Sequence, residues 1–185
     1  MKLVLCSASP RRRQLLERIG VRFSLAPAHI DETQRPGEPA LSYALRMAAE
    51  KSAAGAGEGQ VALGADTIVV KGGEVLGKPR DVADAERILG MLSGAEHRVI
   101  TAVAVTGRRA LAVETKVRFA SLSQAQIRWL AASGDGDDKA GAYAAQGLAG
   151  AFIERIEGSF SNVVGLPLLE TLRLLDEAGV ELPWR

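Results

Sequence analysis

Short apolar runs separated by polar turns open the chain. Leu3–Cys6 is an uninterrupted apolar run typical of a buried strand, and Pro10–Ile19 has the spacing of an amphipathic helix. Val21–Ala26 predicts a second strand, and polar residues then predict a loop over 28–39. A further helix follows and ends near Ala54. The first third of the chain therefore alternates strands with helices.

The remaining pattern combines hairpins with helices. Val61–Val70 is apolar except around Asp66, and Gly72 with Gly73 predicts a tight turn into a short partner strand. The later segments comprise three helices, Val82–Leu92, Ser123–Leu130 and Leu168–Ala178, and three strands, Arg98–Val105, Ala110–Phe119 and Ala151–Glu157. Asp81 caps the first of these helices, and Gly107 lies at the turn between the first two of these strands. Hairpins together with crossover helices predict an α/β fold on a mixed sheet.

Composition excludes several classes of protein. Of 185 residues, 47% are hydrophobic and 24% are charged, unlike disordered, collagen-like or coiled-coil chains. Lys and Arg number 23 against 22 Asp and Glu, so no overall charge draws the protein to nucleic acid or to a membrane surface. The single cysteine, Cys6, favours a reducing compartment, and no apolar stretch reaches membrane-spanning length. We therefore expect a cytoplasmic protein.

The junction between the first strand and the first helix carries a concentrated positive charge. Ser9 suits the helix N-cap and Pro10 the first helical position, which puts Arg11, Arg12 and Arg13 in the first turn. The helix dipole is already positive there, so the charges are unfavourable unless an anion binds. Two interpretations remain open: a phosphate site or a solvated basic turn.

Asp66 interrupts an otherwise apolar strand. A carboxylate buried in that position requires a partner, which hydrogen bonds, a lysine or a metal ion could supply. The alternative is an aspartate at the strand end that faces water. Periodicity does not separate these two hypotheses.

Other charged side chains around this strand could bind phosphate or metal. Lys51, Lys78 and Lys139 are candidates for phosphate, although a lysine taken singly is more typical of a solvated surface. Asp31 and Glu32 form an acidic pair that could hold a hard cation, or could simply be solvated. Each candidate gains weight only in combination with the others.

Seven short motifs are spread along the chain: Ser7-x-Ser9-Pro10-Arg11-Arg12, Glu50-Lys51, Gly64-Ala65-Asp66-Thr67, Gly77-Lys78-Pro79, Asp138-Lys139-Ala140-Gly141-Ala142-Tyr143, Gln146-Gly147 and Val163-Val164-Gly165-Leu166-Pro167. In their order and approximate spacing, these motifs resemble those of the Maf-like nucleotide pyrophosphatases over nearly the whole chain. The resemblance implies a mixed sheet with two lobes around a central cleft, akin to inosine triphosphate pyrophosphatase. It also implies a single domain over residues 1–185 and a homodimer.

The resemblance further implies hydrolysis of nucleoside triphosphates to the monophosphate and pyrophosphate, assisted by Mg²⁺ or Mn²⁺. By position, Asp66 is the implied proton acceptor for the attacking water, and Asp66 with Glu32 is the implied metal site. The implied substrate-binding residues are Ser7, Arg11, Arg12, Glu32, Lys51, Thr67, Lys78 and Gln146.

At three of these positions the residues, Arg12, Thr67 and Gln146, are similar to those of the family branch that acts on dTTP and UTP. The Gln146 amide offers a donor and an acceptor together, which match the adjacent N3–H and carbonyl of uracil or thymine. Modified pyrimidine nucleotides are a further expected substrate class. The alternative function is a regulatory binding protein of cell division and septum formation, in which hydrolysis is incidental.

Overall fold

A computed structural model describes all residues from Met1 to Arg185. Its elements, in chain order, are β1 (Lys2–Leu5), α1 (Pro10–Arg18), β2 (Ser24–Leu25), α2 (Ala40–Ala54), β3 (Gln60–Lys71), β4 (Glu74–Leu76), α3 (Val82–Leu92), β5 (Glu96–Val105), β6 (Leu111–Phe119), α4 (Gln124–Ala132), β7 (Ile153–Glu157), α5 (Phe160–Val164) and α6 (Leu168–Glu177). Two 3₁₀ turns, Ala140–Ala142 and Leu148–Phe152, precede β7. No helix is both long and apolar enough to cross a membrane.

The strands form one seven-stranded mixed sheet, which confirms the predicted α/β class. The order is β2-β1-β3-β5-β6-β7, with β4 paired to β3. β1 runs parallel to both β2 and β3, whereas β3–β4 and β6–β7 are antiparallel pairs. The helices α1 and α2 provide the crossovers between the parallel strands, because parallel neighbours cannot be joined by a tight turn.

The predicted strand Val21–Ala26 is shorter in the structure and covers only Ser24–Leu25. The reason lies at the end of α1, where Gly20 adopts a φ of +74° and the Val21 amide donates to the Leu16 carbonyl at 3.2 Å. Val21 therefore still belongs to the helix terminus. The 3₁₀ turns and the short helix α5 were not predicted, because such short segments carry no periodic pattern.

The chain divides into two compact units. Unit 1 comprises residues 1–66, 101–113 and 165–185, and unit 2 comprises residues 67–100 and 114–164. The core of unit 1 contains side chains from β1, α1, β3, β5 and α6, including Leu5, Leu16, Leu63, Val103 and Leu175. That core fixes the end of β1 and the part of β3 that carries Asp66, from which the candidate site is built.

The core of unit 2 contains a buried histidine. His97 stacks on Phe119, and its Nε2 lies 2.8 Å from the hydroxyl of Tyr143. Its Nδ1 has no hydrogen-bond partner. Burial, and secondarily the charge of Lys71, lowers the pKa of His97 to about 4. The imidazole is therefore neutral at physiological pH.

This histidine predicts a loss of stability in mild acid. Its pKa falls from 6.5 to about 4 on folding, so between these pH values the unfolded chain binds a proton that the folded chain does not. The free energy of unfolding should drop by roughly 3 kcal/mol as the pH falls from about 6.5 to about 4. Urea titrations across this range measure it. His97→Gln should lose this step, whereas the exposed-site variant His29→Gln should retain it; an unchanged step in His97→Gln contradicts the assignment.

Candidate active site

A buried ion pair lies at the centre of the candidate site in unit 1. Lys51 Nζ donates to Asp66 Oδ1 at 2.7 Å and to Glu32 Oε2 at 2.9 Å. The side chains of Lys51 and Asp66 are each 9% exposed, whereas that of Glu32 is 49% exposed. One ammonium group therefore bridges a buried carboxylate and a loop carboxylate near the surface. The hypothesis of a water-facing Asp66 is wrong, and so is that of a solvated Lys51.

A glycine on β3 allows this pair to form. A Cβ at Gly64 would lie 2.2 Å from the Ala48 carbonyl oxygen and 2.4 Å from the Ser52 amide, so α2 packs directly against the strand backbone. The Ser52 hydroxyl also donates to the Ala62 carbonyl at 2.9 Å. This close approach brings Lys51, on α2, to the carboxylate of Asp66, two residues beyond Gly64.

The strand-to-helix junction predicted to bind an anion is ordered by Arg12. Its Nε donates to the Gly165 carbonyl at 2.8 Å, and its Nη1 donates to Ser7 Oγ at 3.1 Å. The same Ser7 oxygen accepts the Ser9 amide at 3.2 Å. Ser9 occupies the N-cap of α1, as predicted, but its side chain makes no capping bond. Ser7 and Arg12 are therefore brought together, with Arg12 buried instead of solvated.

The pKa of Arg12 depends on its burial and on three nearby charged side chains. Burial lowers the pKa of Arg12, and the carboxylates of Asp66 and Glu32 partly offset that shift, while Arg11 adds to it. The arginine and the two carboxylates thus share one electrostatic environment.

The two neighbouring arginines differ from Arg12 in exposure. Arg11 is half-buried in the first turn of α1, and Arg13 is exposed and paired with Glu17 at 2.7 Å. The solvated-turn interpretation therefore holds for Arg13 and not for Arg12.

Three of the predicted site residues belong to unit 2. Thr67 follows Asp66 on β3 and is half-buried, Lys78 is exposed just after β4, and Gln146 is exposed between the two 3₁₀ turns. Gly77, the neighbour of Lys78, accepts the amide of Gly141 at 3.1 Å, which ties the β4 end to the first of those turns. The roles of Thr67, Lys78 and Gln146 stay predictions.

The predicted metal ligands Asp66 and Glu32 form a two-carboxylate set. No group of three or more His, Cys, Asp or Glu side chains is arranged to hold a metal ion. Mg²⁺ commonly binds through one or two protein carboxylates, with water and substrate phosphates completing its shell. Asp66 and Glu32, which both bond Lys51 Nζ, supply the number and kind of protein ligands that this mode needs.

Sequence reasoning missed a cluster on α2 that contacts the Glu32 segment. Arg46 donates to both carboxylate oxygens of Glu38 at 2.7 Å, and Tyr43 donates to the Glu32 carbonyl at 2.7 Å. The spacing of Tyr43, Arg46 and Glu50 along the helix is a signal that could have indicated a shared face. Their loop partners have no periodicity and could not be found this way.

Comparisons with known proteins support the family resemblance that the sequence motifs indicate. A family model described as Maf-like protein matches residues 2–178. A dTTP/UTP pyrophosphatase from Anaeromyxobacter sp. (strain Fw109-5) is 56% identical over 99% of this chain and 92% of the relative. A dTTP/UTP pyrophosphatase from Myxococcus xanthus is 51% identical over 99% of this chain and 95% of the relative.

Among solved structures, a nucleoside-triphosphatase / dITP/XTP pyrophosphatase from Mycobacterium abscessus aligns with 66% of this chain and 76% of its own. The alignment has 18% identity and a TM-score of 0.39. The family assignment rests on the family model and on the sequence relatives. By both measures, this chain belongs to the Maf-like protein family.

Proposed function

We propose that this protein hydrolyses dTTP and UTP, and modified pyrimidine nucleotides of the same shape, to the monophosphate and pyrophosphate. The observation that carries the proposal is the buried Asp66 carboxylate, held at 2.7 Å by the Lys51 ammonium beside Glu32. Relatives that are 56% and 51% identical bear the name dTTP/UTP pyrophosphatase, which supports the same substrate class.

In this proposal Asp66 is the general base. Its Oδ1 accepts the Lys51 hydrogen bond, and its Oδ2 is proposed to accept the proton of the attacking water. The water oxygen bonds to the α-phosphorus while Asp66 accepts its proton. The bond from the α-phosphorus to the oxygen bridging to the β-phosphorus then breaks, and pyrophosphate leaves with the bonding electrons.

Positive charge has to face the triphosphate oxygens as negative charge builds up on them. Lys51, Arg11 and Lys78 are proposed to supply it. Arg12 is proposed to bind the triphosphate as well, and its bonds to Gly165 and Ser7 fix its guanidinium beside the Ser7 hydroxyl. A divalent ion, Mg²⁺ or Mn²⁺, would be held by Asp66 and Glu32 and would neutralise phosphate charge.

Base recognition is assigned to Gln146. The Gln146 side chain is exposed, and its amide is proposed to pair with the N3–H and a carbonyl of uracil or thymine. Thr67, next to the base Asp66 in the chain, is proposed to contact the nucleoside. Residues 1–185 then act as one catalytic domain, which we expect to be cytoplasmic and to assemble as a homodimer without binding nucleic acid.

A nucleotide panel tests the proposal. Purified protein with Mg²⁺ or Mn²⁺ is incubated with dTTP, UTP, CTP, 7-methyl-GTP and 5-methyl-UTP, and the products are separated by chromatography with separate detection of pyrophosphate. Monophosphate plus pyrophosphate should form from dTTP, UTP and 5-methyl-UTP. Equal rates on all bases would overturn the Gln146 assignment. No turnover with any nucleotide would overturn the enzyme and support the regulatory binding protein instead.

A further inference from the structure

Glu32 lies in a long irregular segment. The Glu32 loop (residues 26–39) connects β2 to α2 and contains no helix or strand. The Glu32 side chain is half exposed, yet its Oε2 lies 2.9 Å from Lys51 Nζ. An exposed carboxylate on an irregular loop keeps such a position only if other contacts hold the loop backbone.

Two side chains of α2 make those contacts. The Tyr43 hydroxyl donates to the backbone carbonyl of Glu32 itself at 2.7 Å. Arg46 Nη2 donates to the next carbonyl, that of Thr33, at 3.0 Å. Lys51 lies on the same helix, so a single rigid element carries both the ammonium and the two groups that fix the loop carboxylate opposite it.

Arg46 is in turn fixed by Glu38 at the end of the loop. Its Nε and Nη2 each lie 2.7 Å from a different Glu38 carboxylate oxygen, a bidentate arrangement, and Glu38 Oε2 also accepts the Arg35 amide at 3.0 Å. The side chains of Arg46 and Glu38 are only 16% and 11% exposed. Shielded bidentate pairs of this kind are stronger and more directional than surface ion pairs.

The charge states favour the same arrangement at neutral pH. The hydrogen bonds from Arg46 hold the pKa of Glu38 down to about 2, so the carboxylate stays ionised. Burial, assisted by the charges of Asp66 and Glu32, raises the pKa of Tyr43 to about 12, so its hydroxyl remains a donor. The guanidinium of Arg46 also lies 5.6 Å from the centre of the Tyr43 ring.

We propose that Arg46 and Tyr43 are positioning residues that hold the Glu32 loop so that the Glu32 carboxylate meets Lys51 at the reaction centre. The proposal rests on the proposed function, because Glu32 is assigned there to the metal and phosphates. Neither residue touches the substrate in this scheme. Loss of either should displace Glu32 while Lys51 and Asp66, on α2 and β3, keep their pairing.

Hydrogen–deuterium exchange followed by mass spectrometry tests the hold on the loop independently of catalysis. In Arg46→Met and in Tyr43→Phe, peptides within residues 26–39 should exchange on the order of tenfold faster, with the peptides of β3 unchanged. The matched control is Arg118→Met, which breaks another Arg–Glu pair, that between Arg118 and Glu154 at 3.1 Å. It should leave the loop unchanged. Unchanged exchange in Arg46→Met would overturn the proposal.

Kinetics with Mg²⁺ and dTTP separate positioning from a general structural role. Arg46→Met and Tyr43→Phe should lower kcat/KM by about 10- to 100-fold and raise the half-activating Mg²⁺ concentration, as is usual for residues that orient a metal ligand. In a Glu32→Gln background the same changes should cost little more, because the group they position has gone. Equal losses with and without Glu32 would contradict positioning.

Failure of the proposed function has a different signature. A wild-type protein that hydrolyses no nucleotide would overturn the reaction and, with it, the catalytic purpose of the positioning. The exchange measurement would still decide whether Arg46 and Tyr43 order the loop. A wild-type enzyme that is active while Arg46→Met keeps full activity and wild-type Mg²⁺ dependence would overturn the positioning proposal alone.

Discussion

Asp66→Asn should lower kcat for dTTP and UTP by at least about 10² to 10⁴, the usual contribution of a general base. Asparagine has the same shape but does not accept a proton from water at neutral pH. The fold should survive, because Lys51 keeps its contact with Glu32 at 2.9 Å. Steady-state kinetics with pyrophosphate detection measure kcat, and circular dichroism checks the fold.

A second ion-paired carboxylate provides the matched control for this variant. Asp84 is buried on α3 and contacts Arg87 at 2.8 Å and Arg80 at 3.2 Å. Its pKa is lowered to about 2 by those hydrogen bonds, so Asp84→Asn also removes a buried paired charge. We expect Asp84→Asn to lose stability and keep kcat. Near wild-type turnover in Asp66→Asn would remove Asp66 from the role of base.

Lys51→Met should destabilise the protein by about 3 to 5 kcal/mol, the usual cost of removing one member of a buried ion pair. The lysine is the partner of Asp66, and both side chains are 9% exposed, so the carboxylate would be left charged and uncompensated or would have to bind a proton. Activity should be lost as well. Urea unfolding at neutral pH measures the change in the free energy of unfolding.

The double variant Lys51→Met/Asp66→Asn separates the cost of the unpaired charge from the loss of packing. With both charges removed, we expect at least half of the lost stability to return, because neither remaining side chain is charged. Glu32 is half exposed and can be hydrated on its own. Losses that simply add in the double variant would show that the pair contributes no specific coupling.

Much of the secondary structure could be predicted from local signals. The helix Val82–Leu92 has the predicted bounds, because the Asp81 side chain accepts the Asp84 amide at 2.8 Å and so caps the first turn. The hairpin turn at Gly72 and Gly73 is confirmed by their φ values of +58° and +90°. The strand predicted over Val21–Ala26 is too long, since only Ser24–Leu25 pairs, because the pairing of residues next to a helix end depends on tertiary contacts that a sequence pattern does not contain.

The residue types of the candidate site could be predicted from the sequence, but their geometry could not. The motifs around Arg12 and Asp66 indicated phosphate chemistry, and six of the nine predicted residues lie together in unit 1: Ser7, Arg11, Arg12, Glu32, Lys51 and Asp66. The burial of Lys51 was not predictable, since a lysine near a helix end usually faces water. Arg12 likewise is a buried donor to Gly165, 153 residues away in the chain.

Local spacing and motifs were enough to predict the order of the longer helices and strands, the mixed α/β class, the family and the residue types available for chemistry. Which of those residues are buried, and which are partners, depends on the tertiary structure. The absence of a Cβ at Gly64 lets α2 approach β3, and that contact pairs Lys51 with Asp66. The hydrogen bonds from Arg46 and Tyr43 to the Glu32 loop likewise depend on the packing of two separate segments. Such pairings follow from long-range packing, in which two segments meet only once the core has formed.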